Sequence, residues 1–251
     1  MKKITSAWMI LLLILCQELA FGQFQCHSLI PGKVVSDYRN FYSCATISHL
    51  VLGLGYSAYY AHTSFDPEIQ NLYGDYIRTR TTDKISKVVK QFGNGRITIP
   101  IYLAAAGLGW YFPNHPSGGA IGNWGAECSR SLLLGAPVVL MLQWMIGASR
   151  PYENNGSHWH PFKDNNGVSG HSFMGAVPFL VAAKITDQRL IKYPLYLGSL
   201  FCGLSRINDH QHYFSQVFLG WWIAWLATRS IAQNNFSLGL SANGLEIALH
   251  F

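Results

Sequence analysis

Two arginines, two histidines and a Ser-Gly turn occur at the ends of otherwise apolar segments of the sequence. They lie in four stretches, Ser149-Arg150-Pro151, Gly167-Val168-Ser169-Gly170-His171, Ser205-Arg206 and His212-Tyr213-Phe214-Ser215-Gln216. Cations are rarely placed beside apolar helices without a partner, because burying an unpaired charge is costly. The guanidiniums of Arg150 and Arg206 keep their charge at physiological pH and can grip a phosphoryl group through charged hydrogen bonds. We therefore predict an anion pocket with these two side chains as its clamp.

The Ser-Gly turn comes directly before an apolar segment that begins at His171. Unpaired backbone N–H groups and the helix dipole favour an anion at a helix N-terminus, and Gly170 lets the backbone approach it closely. A phosphate ester held there needs a nucleophile on one side of phosphorus and a proton donor on the leaving oxygen. His171 and His212 can divide these two jobs. If His212 begins a helix, Gln216 lies one turn further on the same face and can orient its ring.

At these residues the sequence resembles the type 2 phosphatidic acid phosphatase superfamily, which includes bacterial class A acid phosphatases, membrane lipid phosphatases and vanadium haloperoxidases. The superfamily motif has three parts: Lys, six residues, Arg-Pro; then Pro-Ser-Gly-His; then Ser-Arg, five residues, His, three residues, Asp. The corresponding parts here are Gln143 to Arg150-Pro151, Val168-Ser169-Gly170-His171, and Ser205-Arg206 to His212 and Gln216. The resemblance covers about half of the chain, and the spacing is matched in three separate segments.

The resemblance implies an all-α fold of the acid phosphatase/haloperoxidase type and hydrolysis of a phosphomonoester, either a lipid phosphate or a small phosphate ester. It implies that His212 attacks phosphorus to form a phosphohistidine, that His171 protonates the leaving group, and that no metal or other cofactor takes part. The residues implied to hold the phosphate oxygens are Arg150, Ser169, Gly170 and Arg206. Expected partners are phosphorylated small molecules or lipids.

Three positions depart from the superfamily motif. Gln143 replaces the lysine of the phosphate-binding set, so one cation is missing and developing charge is less well stabilised. Gln216 replaces the aspartate, and its amide oxygen can orient His212 but cannot offset an imidazolium charge. Val168 replaces the proline of the turn, and Asp209 is an alternative partner of His212 if the last helix starts earlier. We expect weakened activity, and the alternative is a protein that binds phosphate or a lipid headgroup without turnover.

Two further interpretations concern bound ions. A vanadate-dependent haloperoxidase would use the same cradle for vanadate, but the lysine missing at Gln143 disfavours it. The pairs His158-Trp159-His160 and His210-Gln211-His212 could bind zinc on an extended strand, with Asp164 and Asp209 as oxygen ligands. Because no recognised ligand motif accompanies these pairs, we predict no metal site.

Apolar segments of helical length position the motif residues. A charged amphipathic segment lies between the first two of them, and the six apolar segments cover residues 44–63, 97–112, 131–148, 171–184, 193–204 and 215–230. Pro113 and the residues up to Gly119 predict a turn. Apolar residues alternate with small or polar ones around Asn243-Gly244, which predicts a β-hairpin. The expected fold is therefore an all-α six-helix bundle with a short C-terminal hairpin at 236–251.

The composition predicts one large apolar core, since 49% of the 251 residues are hydrophobic, only 12% are charged and no linker divides them. A single helical domain is expected at 23–235. Residues 1–22 have the basic, apolar and small-residue zones of a cleaved signal peptide, with an uncleaved anchor as the alternative. Cys26 could then pair with Cys44, although free thiols are equally compatible. We expect an exported protein, periplasmic or peripheral to a membrane, with a multi-pass membrane protein as the alternative, and no nucleic-acid partner because the basic residues are scattered.

Overall fold

The computed structural model describes residues 31–112, 116–232, 236–241 and 244–249, and these residues are mostly α-helical. The α-helices are α1 Pro31–Phe41, α2 Cys44–Ala61, α3 Phe65–Leu72, α4 Arg80–Val89, α5 Gly95–Tyr111, α6 Pro116–Ile146, α7 Gly170–Ile185, α8 Arg189–Asn208 and α9 Phe214–Ser230. Short helical turns of other types cover Tyr73–Ile77, Lys90–Gly93 and Pro151–Glu153. Two strands follow, β1 Phe236–Ser241 and β2 Gly244–Leu249, and they pair antiparallel.

The helices that carry the motif residues, α6 to α9, form the centre of the bundle. Helix α7 packs against α6, α8 and α9, while α5 lies along α6, α2 along α9 and α4 along α8. A helix covered on most of its sides has no polar stripe, which explains why α7 is apolar almost all round. The core is built mainly from α6, α7 and α9, and its buried side chains include Leu134, Val138, Phe173, Val177, Leu219 and Ile223.

All six of the predicted apolar helices overlap observed ones, namely α2, α5, α6, α7, α8 and α9. Helix α8 extends four residues beyond the predicted range of 193–204 at each end. The charged amphipathic segment contains α3 and α4, and α1 was not predicted. The described residues therefore contain nine α-helices rather than six.

The start of α6 was predicted wrongly. Its helix begins at Pro116, whereas the sequence favoured a turn up to Gly119 and a helix at 131–148. Gly125, in the first half of α6, allows close packing of two helices. A Cβ at Gly125 would lie 2.6 Å from the carbonyl oxygen of Tyr102, so only glycine lets α6 approach α5 this closely.

Within the described residues, one segment, Gly118–Ile146 of α6, is long and apolar enough to cross a membrane. Because 50% of its most apolar window is buried inside the bundle, it also fits the core helix of a soluble protein. Large apolar side chains nevertheless remain exposed on α2, α5, α6 and α8, among them Val51, Tyr59, Leu103, Trp110, Leu140, Trp144, Leu197 and Phe201. Exposed apolar surface on several helices is typical of contact with a partner or a lipid surface.

Three predictions fall outside the described residues, wholly or in part. The signal peptide at 1–22 lies there, as does Cys26 of the suggested pair with Cys44. The turn of the predicted hairpin, at Ala242 and Asn243, also lies there, although the strands on either side of it are paired. Among the described cysteines, Cys44, Cys128 and Cys202 are free thiols.

Candidate active site

Hydrogen bonds join the three motif segments at the end of the bundle where α6 ends and α7 and α9 begin. The backbone N–H of Ser169 donates to the carbonyl oxygen of Gln216 at 2.9 Å, which links α7 to α9. The side-chain amide of Gln216 donates to the carbonyl oxygen of Ser149 at 2.7 Å. The amide of Gln143 donates to the carbonyl oxygen of Val168 at 3.0 Å. Residues that are far apart in the sequence are thereby held at one place.

His212 is buried and lies two residues before α9, which begins at Phe214, so the contact with Gln216 forms although His212 does not begin the helix. Its Nδ1 atom lies 2.7 Å from Oε1 of Gln216. The backbone N–H of Tyr213 donates to the same oxygen at 3.2 Å, and the other end of the amide donates to Ser149, which fixes the orientation of the amide. Because Oε1 can only accept, Nδ1 carries the hydrogen and Nε2 presents a lone pair.

The environment of His212 keeps its ring neutral. Burial is the largest cause that lowers its pKa, and with the charges of Arg206, Arg150 and His171 it brings the pKa to about 3. The hydrogen bond to Gln216 acts in the opposite direction. These groups are therefore close enough for their charges to act on one another, and the Nε2 lone pair stays free at physiological pH.

Arg150 follows α6 and is held by side chains of two loops, the one before α7 and the one between α8 and α9. Its Nε donates to Oδ1 of Asn166 at 2.7 Å, and Nη1 donates to Oε1 of Gln211 at 3.1 Å. Asn166 is itself held by Asp164, whose Oδ1 accepts from its amide at 2.8 Å. The guanidinium also lies 5.8 Å from the centre of the Tyr152 ring. Since these contacts fix the fork of the guanidinium, its orientation is set before any ligand arrives.

Arg206 lies in the last turn of α8 and is only 8% exposed. Its Nη1 is 3.6 Å from Oδ2 of Asp209. Its Nε has no hydrogen-bond partner among the described residues. A buried guanidinium N–H without a partner carries a desolvation cost, which an anion in the pocket would remove.

The N-terminus of α7 closes another side of the pocket. Ser169 caps the helix, its Oγ accepting from the backbone N–H of Ser172 at 3.3 Å. Gly170 is the first helical residue, and a Cβ there would lie 3.4 Å from the side-chain nitrogen of Gln143. Gln143 thus lies beside the helix terminus but its amide is engaged with Val168, so it brings no positive charge to the site.

His171 occupies the first turn of α7 and is partly exposed. Burial, followed by the positive charges of Arg206, Lys90 and Arg150, lowers its pKa to about 4. The ring is therefore neutral in the free protein. An anion that neutralises these cations would raise the pKa of His171, because it removes part of the cause of the shift.

Two alternatives for the site disagree with the structure. Asp209 is engaged by α4 and not by His212, since its Oδ1 accepts from the Ser86 hydroxyl at 2.6 Å. For the zinc alternative, no group of three or more His, Cys, Asp or Glu side chains in the described part of the chain has a metal-binding arrangement. Nδ1 of His210 lies instead 3.1 Å from the amide of Gln70.

The sequence did not indicate Asn166, Gln211 or Lys90 as part of the site. Asn166 and Gln211 hold Arg150, and Lys90 acts electrostatically on His171. Asn166 lies five residues before His171 in a loop rich in polar residues, so an asparagine at this position did not stand out from its neighbours. Lys90 belongs to a segment far from the motif and could not be found by spacing.

Comparison with known families tests the resemblance directly. Residues 124–237 match the family model described as the PAP2 superfamily. This segment belongs to the PAP2 superfamily. Searches of curated proteins and of solved structures gave no significant match.

The PAP2 segment contains α7, α8, α9 and most of α6, with all the motif residues. Membership in the PAP2 superfamily confirms the family inferred from the motif. It indicates phosphatase-type activity on phosphate esters, with phosphorylated small molecules or lipids as the class of substrate. The catalytic mechanism of this protein depends on the residues described above.

Proposed function

We propose that the protein is a phosphomonoester hydrolase that works through a phosphohistidine at His212. The hydrogen bond between Nδ1 of His212 and Oε1 of Gln216 carries this proposal. Because the backbone N–H of Tyr213 fixes the same oxygen, the ring is held in the tautomer that a nucleophile at Nε2 requires.

The first step forms a bond between Nε2 of His212 and phosphorus while the bond from phosphorus to the leaving oxygen breaks. His171 donates a proton to that oxygen, since the bound phosphate offsets the cations that otherwise lower its pKa. Arg150, Arg206 and the backbone N–H groups that follow Ser169 stabilise the charge on the three remaining oxygens. Water then attacks phosphorus, His171 takes its proton, and the bond to Nε2 breaks.

A lipid phosphate is the substrate class that the surroundings of the pocket favour. Tyr152, which lies against Arg150, is exposed, as are Trp144 and Met145 at the end of α6 and Phe162 in the loop that follows. Exposed apolar faces on α2, α5, α6 and α8 add to them. Tyrosine and tryptophan side chains have an apolar ring and a polar group, so they are favourable where the apolar tail of a lipid meets its charged headgroup. We therefore propose that the protein acts at a lipid surface.

A rapid-quench experiment tests the mechanism. We expect an acid-labile phosphoprotein when the protein is mixed with a labelled phosphomonoester, and its loss in the His212→Ala variant. A His171→Ala variant should still form the intermediate from a substrate with a good leaving group, since no proton donor is then needed for the first step. A His212→Ala variant as active as the parent would exclude the mechanism.

A second experiment separates a slow enzyme from a protein that binds phosphate without turnover. Gln143→Lys combined with Gln216→Asp restores the superfamily residues. In a slow enzyme the double variant should hydrolyse faster than the parent, because a cation and a carboxylate then stabilise the transition state. If the parent binds phosphate but neither protein hydrolyses lipid or soluble phosphomonoesters, the non-catalytic alternative is correct.

A further inference from the structure

A lysine from outside the motif lies at the pocket. Lys90 opens the short helical turn Lys90–Gly93 that follows α4. This turn packs directly against α7, since a Cβ at Gly93 would lie 2.5 Å from the carbonyl oxygen of His171 and 2.8 Å from its Cα. Only glycine permits this approach of two backbones. The packing brings the charge of Lys90 near enough to lower the pKa of His171.

Asp209 joins Lys90 to the pocket arginine. Its Oδ2 atom lies 3.6 Å from Nζ of Lys90 and 3.6 Å from Nη1 of Arg206. Its other oxygen accepts from the Ser86 hydroxyl at 2.6 Å. One carboxylate oxygen therefore lies between two cations, at distances too long for strong hydrogen bonds to either of them.

The site also lacks one of the positive charges of the superfamily motif. Gln143 stands at the lysine position of the superfamily motif and donates to a backbone carbonyl oxygen. Nε of Arg206 is buried and has no hydrogen-bond partner among the described residues. Both observations indicate that the pocket is completed by an anion and that positive charge for it must come from another element.

We propose that Lys90 supplies the third cation of the phosphate pocket and that Asp209 holds Lys90 and Arg206 until the anion displaces it. This inference rests on the proposed phosphate site and adds a residue to it. The pair of Lys90 and Asp209 is partly exposed, with side-chain exposures of 34% and 20%, so as an ion pair it contributes little to stability. Lys90 can therefore exchange a carboxylate for a phosphate oxygen at small cost.

Calorimetric titration of the full chain with inorganic phosphate tests the role of Lys90. The Lys90→Gln variant should bind phosphate about tenfold more weakly than the parent, the effect of losing one hydrogen bond between charged groups. Lys87→Gln is the matched control, since Lys87 is an exposed lysine one turn earlier on the same segment. It should change the Kd less than about twofold, as expected for a screened surface charge.

The Asp209→Asn variant should change the Kd for phosphate in the opposite direction to Lys90→Gln. It keeps an oxygen that can accept from Ser86 but removes the negative charge that competes with phosphate, so phosphate should bind severalfold more tightly. If the ion pair were only structural, Lys90→Gln and Asp209→Asn would both lower the melting temperature and would shift the Kd in the same direction. That result, or equal phosphate affinity of Lys90→Gln and the parent, would overturn the inference and leave the phosphatase proposal intact. A parent that binds no phosphate would overturn both.

Discussion

The side chain of Gln216 has consequences that a carboxylate would not have. Its oxygen fixes the tautomer of His212 at 2.7 Å, but its neutral amide does not stabilise a positive ring. Burial and the neighbouring arginines therefore lower the pKa of His212 to about 3. In the free protein the neutral ring of His212 has an Nε2 lone pair available for attack. The phosphorylated ring is positively charged, and Gln216 stabilises it less than an aspartate would. We therefore expect the phosphoprotein that rapid quenching traps to be a small fraction of the total protein.

The low pKa values of the two pocket histidines predict a dependence of stability on pH. In the unfolded chain both side chains titrate near the reference value of about 6.5. In the folded protein the pKa is about 3 for His212 and about 4 for His171. Between these values the unfolded state binds more protons, so the free energy of unfolding should be highest above pH 6.5 and fall as the pH decreases through the folded values. Urea unfolding at several pH values between 8 and 4 measures this slope.

A His212→Gln variant serves as the comparison for the pH experiment. Glutamine keeps a polar group in the pocket but does not titrate, so the slope should be smaller in the variant. The difference between the slopes isolates His212, because His62 and His210, whose pKa values are also lowered by burial, remain in both proteins. Parallel stability curves for parent and variant would mean that the ring of His212 is not buried in solution.

The site residues differ in how far the sequence could indicate them. Arg150, Arg206 and His212 could be singled out because charged and imidazole side chains at the ends of apolar segments need a partner. The sequence could not show that Asp209 faces α4, since that depends on α9 starting at Phe214 and not earlier. Lys90 reaches the site through the packing of Gly93 on α7, which has no local signal.

At the scale of the elements, α3 supports the start of α9. Asp66 of α3 is fully buried and its carboxylate accepts from the backbone N–H of Ser215 at 2.8 Å and from the Ser215 hydroxyl at 2.6 Å. Ser215 is the second residue of α9, so a carboxylate from another helix caps the helix that follows His212. Burial raises the pKa of Asp66, while the hydrogen bonds from Ser215 lower it.

An Asp66→Asn variant should therefore lose both stability and activity. Asparagine keeps one acceptor but removes the charge at the positive end of α9, which should cost about 1 to 2 kcal/mol of unfolding free energy. Because His212 and Gln216 are positioned by this helix end, we also expect kcat to fall while KM changes little. Denaturant unfolding and steady-state kinetics on one phosphomonoester measure the two effects.

The matched control for Asp66→Asn is Ile223→Val, in the buried middle of α9. Removing one methyl group there should cost a similar free energy, about 1 kcal/mol, without moving the helix end. If the two variants lose kcat to the same extent, the effect of Asp66 is one of general stability and its positioning role is wrong.

The elements could be predicted best where their boundaries have local causes. Helix α7 starts at a Ser-Gly turn, and α9 follows a polar run, so both were predicted to within a residue of their observed starts. The first half of α6 could not be recognised because its glycines look like a turn until α5 packs against Gly125. Helix α1 was missed because its apolar stripe is short, and its place is set by an ion pair that the sequence does not reveal.

At the scale of the whole molecule, that ion pair closes the end of the bundle opposite the pocket. Arg130 of α6 donates to both carboxylate oxygens of Asp37 of α1, at 2.6 and 2.7 Å, and both side chains are 1% exposed. Asp37 also accepts from the backbone N–H of Ala232, just after α9, at 2.8 Å. Nearby, Lys184 of α7 donates to Glu127 of α6 at 3.3 Å and to the carbonyl oxygen of Ile231 at 2.8 Å. Four helices are thus joined by buried charges.

The buried pair predicts that stability and phosphate binding can be changed separately. Arg130→Met leaves the Asp37 carboxylate buried without its cation and should cost about 3 to 5 kcal/mol, whereas Asp37→Leu with Arg130→Met should recover most of that loss. Arg130 lies about 24 Å along α6 from Ile146, at the helical rise of 1.5 Å per residue, so the folded fraction of each variant should bind inorganic phosphate with the Kd of the parent. Thermal unfolding and calorimetry measure the two quantities. If the double variant were as unstable as Arg130→Met, the loss of stability would come from the lost contacts between α1 and α6 and not from an unpaired charge. A Kd for phosphate different from that of the parent would mean that the two ends of the bundle are coupled.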